Sequence, residues 1–88
     1  MKTESDLFYA AIPSDAQGFC VEITIRDNLT SKVETIREGS CPSVCGIEYH
    51  YTEGNFGCDC NRSMAFGLDE PCNVGDNRFV IVGVVLVA

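Results

Sequence analysis

Four of the six cysteines in this chain form two close pairs, and thiols at this spacing can hold a metal ion. Cys41 and Cys45 make the first pair, Cys58 and Cys60 make the second, and twelve residues separate them. Structural zinc is held by four ligands in a tetrahedron, and two short cysteine pairs on either side of a hairpin-length segment commonly supply them. The sequence therefore predicts a structural Zn2+ site with four thiolate ligands.

The local spacing within each pair favours joint chelation. A tight turn between Cys41 and Cys45 would direct backbone N–H groups at the sulfurs, with Gly46 at positive φ just after the second ligand. Cys58 and Cys60 lie two apart, so on an extended segment both thiols leave from the same side. A disulfide between these last two would close a strained ring, which makes bonding to each other unfavourable.

Two other uses of the cysteines stay open. Six cysteines could instead form a disulfide framework, as in a secreted domain, although the N-terminus lacks the plan of a signal peptide. Redox chemistry at Cys58-Asp59-Cys60 is disfavoured because Asp59 would raise a thiol pKa. Cys20 and Cys72 are interpreted as unliganded, and His50, the only histidine, is an alternative fourth ligand.

Two segments resemble known zinc proteins. Cys41-Pro42-Ser43-Val44-Cys45-Gly46 resembles the knuckle of zinc ribbons, with the cysteines one residue further apart. Residues 32–66, with Gly-Asn-aromatic before Cys58-Asp59-Cys60-Asn61-Arg62, resemble a group of small phage and prophage proteins. That resemblance implies a zinc-binding β fold on Cys41, Cys45, Cys58 and Cys60, and it brings no catalytic residues. Asn61 is interpreted as a turn cap and Arg62 as a cation that offsets thiolate charge.

Composition limits the class of partner. The 88 residues make one domain, 1–88, and carry thirteen acidic and six basic side chains, a formal charge of −7. Such a surface repels nucleic-acid phosphates and favours a protein with a basic surface, so no direct nucleic-acid contact is expected. The longest apolar run, 79–88, is too short to span a bilayer. We expect a cytoplasmic protein without membrane contact, in the host cell if the chain is phage-encoded.

The predicted fold is mostly β: a small antiparallel sheet of four to six short strands with a four-cysteine zinc knuckle and little helix. Residues 19–26 alternate apolar and polar and form a hairpin with residues 32–37. Residues 47–52 alternate as a further strand, residues 7–12 are a short strand or a helical turn, and residues 61–67 are a helical turn. The apolar run 79–87 is predicted to be a central strand covered on both faces or paired across a homodimer.

No catalytic set accompanies the cysteines, so we do not expect an enzyme. The chain has no Gly-rich phosphate loop and no nucleophile elbow, and four thiolates would close the zinc shell. The hypothesis is a small acidic, zinc-stabilised protein-binding module, by analogy a phage-encoded inhibitor of a host defence protein such as a CRISPR effector. The alternatives are a nucleic-acid-binding zinc-ribbon accessory protein and a secreted disulfide-rich domain.

Overall fold

The computed structural model describes residues 3–52, 62–68 and 78–87. In chain order these form α1 (Glu4–Ala11), β1 (Phe19–Asp27), β2 (Val33–Cys41), α2 (Val44–Thr52), a 3-10 helix (Arg62–Phe66) and β3 (Phe79–Val87). The strands make one antiparallel sheet in the order β2-β1-β3. The predicted small antiparallel sheet is confirmed, but the described residues form three strands rather than four to six, and two α-helices join them.

The hairpin of β1 and β2 forms where alternation predicts it. Val21, Ile23 and Ile25 are fully buried on one face of the sheet, whereas the intervening side chains are half-buried or exposed. Asp27 N donates to Lys32 O at 2.8 Å and closes the five-residue loop between the strands. Burial of this one face fixes the register, because a slip of one residue would expose every apolar side chain.

β3 lies at an edge of the sheet, so the prediction of a central strand covered on both faces is wrong. Among the described strands it pairs only with β1, and the register shifts at Val82, which is the extra residue of a β-bulge. Ile81 is buried, but Val82 and Val85 are 39% and 58% exposed. An apolar run shows that a strand has apolar surroundings, but it does not reveal the order of strands in the sheet.

α1 resolves the ambiguity of residues 7–12 in favour of a helix. Thr3 is the N-cap: its hydroxyl accepts from Asp6 N and its own N–H donates to the Asp6 carboxylate, which makes a capping box. The helix buries Phe8 completely. The predicted helical turn at 61–67 is confirmed by the 3-10 helix.

α2 replaces the strand predicted for residues 47–52, and that prediction is wrong. Ser43 begins the helix, since its hydroxyl accepts from Gly46 N at 3.0 Å. Val44, Ile47 and Tyr51 are buried at helical spacing, which overrides the shorter alternation of apolar residues. Gly46 therefore lies in the helix and does not take the positive φ that the knuckle requires.

The two faces of the sheet differ. One face packs against the helices, and the core joins them; its buried apolar residues are Phe8, Ile12, Phe19, Val21, Ile23, Ile25, Cys41, Val44, Ile47, Tyr51 and Ile81. No described side chain of the other face is buried. Among the described residues, no helix has the length and apolar character needed to cross a membrane.

Candidate functional site

Cys41 and Cys45 stand at the junction of β2 and α2. Cys41 is the last residue of β2 and Cys45 the second residue of α2, and Pro42 and the cap Ser43 make the turn between them. Cys58, Cys60 and Cys72 lie outside the described residues. The structure thus places two of the four predicted ligands, Cys41 and Cys45. The described residues contain no group of three or more histidine, cysteine or acidic side chains able to hold a metal.

Cys41 is a buried thiol. Its side chain is 4% exposed, and Sγ donates to Glu38 O at 3.8 Å. Burial raises the pKa of the Cys41 thiol above its usual value, and the nearby Glu38 and Cys20 raise it further. The thiol is therefore protonated near neutral pH, which makes it a poor nucleophile; a bound cation would have to displace the proton.

Cys45 has different surroundings. It is exposed on the solvent side of α2, and the phenol of Tyr9 on α1 reaches it. The hydrogen bond with Cys45 is the main reason that the pKa of Tyr9 is raised, with smaller contributions from burial and from Glu48. Cys20, Cys41 and Cys45 are all free thiols. The two cysteines thus flank one turn, Cys41 with a buried thiol and Cys45 with an exposed one.

An open pocket of about 280 Å3 adjoins Cys41. Glu38 and His50 contribute to its lining, together with residues at the end of β2, in the turn and on α2. His50 is half-buried on α2, and its ring packs edge-on against Tyr51 at 5.3 Å between centroids. Cys41 and His50 thus line one pocket, in which burial raises the pKa of the Cys41 thiol.

Arg62 holds a position that the sequence interpretation missed. The expected role was to offset thiolate charge, but both terminal nitrogens of its guanidinium donate to the Glu4 carboxylate, at 2.8 and 2.9 Å. They also donate to Tyr51 O at 2.6 Å and to Phe79 O at 2.8 Å. Arg62 is 7% exposed and the Glu4 side chain 30% exposed, so this is a partly buried ion pair that joins α1, α2 and β3. The sequence contains no local signal for it, because the two charged residues are 58 positions apart.

The outward side of the two helices forms a distinct surface, which we call the helical surface and define as Asp6, Tyr9, Cys45, Glu48 and Tyr49. Tyr9 is 48% exposed and Tyr49 is 56% exposed. Ser5 links the helices by donating to the Glu48 carboxylate at 2.5 Å. The surface thus combines two exposed aromatic rings with two carboxylates.

Lysine and arginine are unevenly distributed among the described residues. The described ion pairs are Arg62 with Glu4 and Arg78 with Asp27. The other described cations, Arg26, Lys32 and Arg37, belong to the hairpin of β1 and β2, and neither α1 nor α2 contains a lysine or arginine. The helical surface is therefore acidic and has no cation of its own.

Comparison of the chain with protein-family models, curated proteins and solved structures finds no match.

Proposed function

We propose that this protein is a small zinc-stabilised module that binds a partner protein with a basic surface through the helical surface. The observation that carries the proposal is the pairing of two exposed tyrosines with carboxylates on a surface whose described residues include no lysine or arginine. Tyrosine is enriched in protein interfaces because it buries a large rigid ring and keeps a polar tip. Carboxylates around such an anchor attract a basic partner and speed its association.

The zinc part of the proposal assigns Cys41, Cys45, Cys58 and Cys60 as ligands. Cys41 and Cys45 supply donors on both sides of the turn into α2. An ion bound there would hold the first turn of α2, on which Cys45 neighbours Tyr9. Zinc would then contribute to stability and fix the position of the helical surface, without taking part in a reaction.

The analogy with phage proteins suggests the class of partner: a host defence protein whose basic groove binds nucleic acid. An acidic surface with aromatic anchors would occupy such a groove in place of phosphates. Direct nucleic-acid binding is the alternative function, and a shift of random DNA or RNA in gels at low salt would support it instead. We place the protein in the cytoplasm, where thiols stay reduced and available to the metal.

The docking test compares three baits at matched concentration in a bacterial lysate: wild type, Tyr49→Ala and Leu29→Ala. Leu29 is 73% exposed in the loop of the β1–β2 hairpin and serves as the control for loss of an exposed apolar side chain. We expect wild type and L29A to retain the same basic protein, with affinity that falls as salt rises. Tyr49→Ala should weaken it by about tenfold or more, the loss typical of an aromatic anchor. Equal retention by Y49A and wild type would refute the assignment of the helical surface as the docking site.

The zinc test measures the metal content of purified protein and of single cysteine-to-serine variants. We expect one zinc per chain, lost from the variants at positions 41, 45, 58 and 60 and retained by Cys20→Ser, the matched control. A native mass lower by about two units for each cysteine pair would instead indicate disulfides. Full metal content in C41S or C45S would refute the ligand assignment.

A further inference from the structure

The first half of the free edge of β3 is closed by side chains. Glu4 accepts a hydrogen bond from Ile81 N at 2.8 Å, and Arg62 donates to Phe79 O at 2.8 Å. These are the backbone groups that an added strand would use at this edge. The ion pair thus replaces a neighbouring strand along residues 79–81.

The second half of the same edge is open in the described part of the chain. Asn28 N donates to Arg78 O at 2.7 Å, which sets the alternation of bonded and non-bonded pairs between β1 and β3. Beyond the bulge at Val82, this alternation directs the N–H and C=O of Val84 and Leu86 away from β1. No described residue hydrogen-bonds to those groups on that side.

The composition of the strand does not protect this edge. Residues 79–87 contain no charged residue and no proline, two of the features with which edge strands prevent pairing, and the bulge at Val82 lies outside residues 83–87. Val85, which pairs with Glu22 on the side of the sheet away from the helices, is 58% exposed, and the bulge residue Val82 is 39% exposed. An uncharged, exposed edge of this kind favours pairing with another strand.

We propose that the occupant is a second copy of this chain, paired antiparallel through residues 83–87 across a twofold axis at Val85. The outward backbone N–H and C=O of Val84 in one copy would then hydrogen-bond with those of Leu86 in the other. The twofold axis makes Val85 face its own equivalent, a non-hydrogen-bonded pair in which side chains approach most closely. The result is a six-stranded sheet in the order β2-β1-β3-β3-β1-β2.

Charge favours a second copy over the basic partner considered above. A basic protein would find no carboxylate on residues 79–87, whereas the same segment of a second chain is equally short, apolar and uncharged. The net charge of −7 opposes self-association, but pairing at this edge puts no two carboxylates opposite each other. The helical surface lies on the helix layer and is not used. The inference is thus independent of the proposed function.

The test measures the mass of wild type and two matched variants by sedimentation velocity, against 9.6 kDa for one chain. Val85→Lys places two like charges face to face at the axis. Val33→Lys is the control, because Val33 is 51% exposed on β2, the strand at the opposite edge. We expect wild type and V33K to sediment as dimers and V85K as a monomer, with its dissociation constant raised about tenfold or more. A wild-type monomer at high protein concentration, or a V85K dimer, would overturn the proposal.

Two further measurements separate loss of pairing from loss of fold. Equimolar V85K and Val85→Glu should form a mixed dimer, because opposite charges then meet at the axis. Val85→Cys should form a cross-linked dimer under mild oxidation beyond any found in wild type, and Val33→Cys should not. Absence of both the mixed dimer and the cross-link would refute pairing at Val85 whatever the stability of V85K.

Discussion

Replacement of Arg62 by methionine should remove a large share of the stability of this protein. The guanidinium makes four hydrogen bonds, two to the Glu4 carboxylate and one each to Tyr51 O and Phe79 O. Methionine fills much of the same volume but donates to none of these acceptors. The side chains of Arg62 and Glu4 are only 8% and 30% exposed, so water replaces the lost donors poorly.

The expected loss is about 3 to 5 kcal/mol, the usual effect of removing one partner from a buried pair. A chain of 88 residues has a total free energy of unfolding of about 4 to 13 kcal/mol, so this loss is about a quarter of it or more. The melting temperature should fall by about 12 °C or more. Glu4→Gln should cost less, because the amide oxygen can still accept from Ile81 N.

Urea unfolding followed by circular dichroism measures the effect, with Arg37→Met as the control. Arg37 is exposed on β2, so its replacement should change the free energy of unfolding by no more than about 0.5 kcal/mol. The double variant E4Q/R62M should lose less than the sum of the single losses, because the two residues interact directly. Zinc content should stay at the wild-type level, as the structure pairs Arg62 with a carboxylate. Equal stability of R62M and R37M would refute the reasoning.

Three further outcomes follow from the surroundings of single residues. Arg78 lowers the pKa of Asp27 below its ordinary 3.8 in the folded protein. The Asp27–Arg78 pair therefore adds to the free energy of unfolding above pH 3.8, and this contribution is lost as the pH falls through the lower pKa of the folded state. The stability difference between wild type and Asp27→Asn, from urea unfolding across pH, should therefore shrink below pH 3.8; a constant difference would contradict it. In metal-free protein near neutral pH, a thiol reagent should modify exposed Cys45 rapidly and buried Cys41 only when the protein unfolds. Mass spectrometry measures both rates of modification, and equal rates would contradict the burial of Cys41. Gly83→Ala should raise the melting temperature slightly. The added Cβ would meet the Thr24 side chain at an ordinary contact distance of 3.6 Å, and a glycine within a strand is less stable than alanine by about 0.5 to 1 kcal/mol. A lower melting temperature would contradict this.

The sequence predicts those parts of the fold in which one local pattern dominates. β1 alternates without interruption and pairs with β2 as expected. In α2, two patterns compete over the same residues: Ile47, Tyr49 and Tyr51 alternate like a strand, whereas Val44, Ile47 and Tyr51 recur at helical spacing. The Ser43 cap favours the helix, and it leaves Tyr49 exposed.

The candidate site was predictable to a smaller degree. Spacing alone identifies Cys41 and Cys45 as neighbours, and the structure places them at one turn. Their different surroundings depend on α1, which brings Tyr9 to Cys45, and on β1, which brings Cys20 near Cys41. No rule of spacing shows that Arg62 reaches Glu4, because the two residues are 58 positions apart and meet only in the folded chain.

The contacts of Glu4 also determine when this protein can acquire its structure during synthesis. Glu4 is synthesised before its backbone partner Ile81, which follows 77 residues later in the chain. At a usual rate of about 5 to 20 residues per second, α1 waits roughly 4 to 15 s for that partner. β1 also lacks its neighbour β3 during this interval. Nascent chains that stall before β3 emerges should therefore be sensitive to proteases and bound by chaperones.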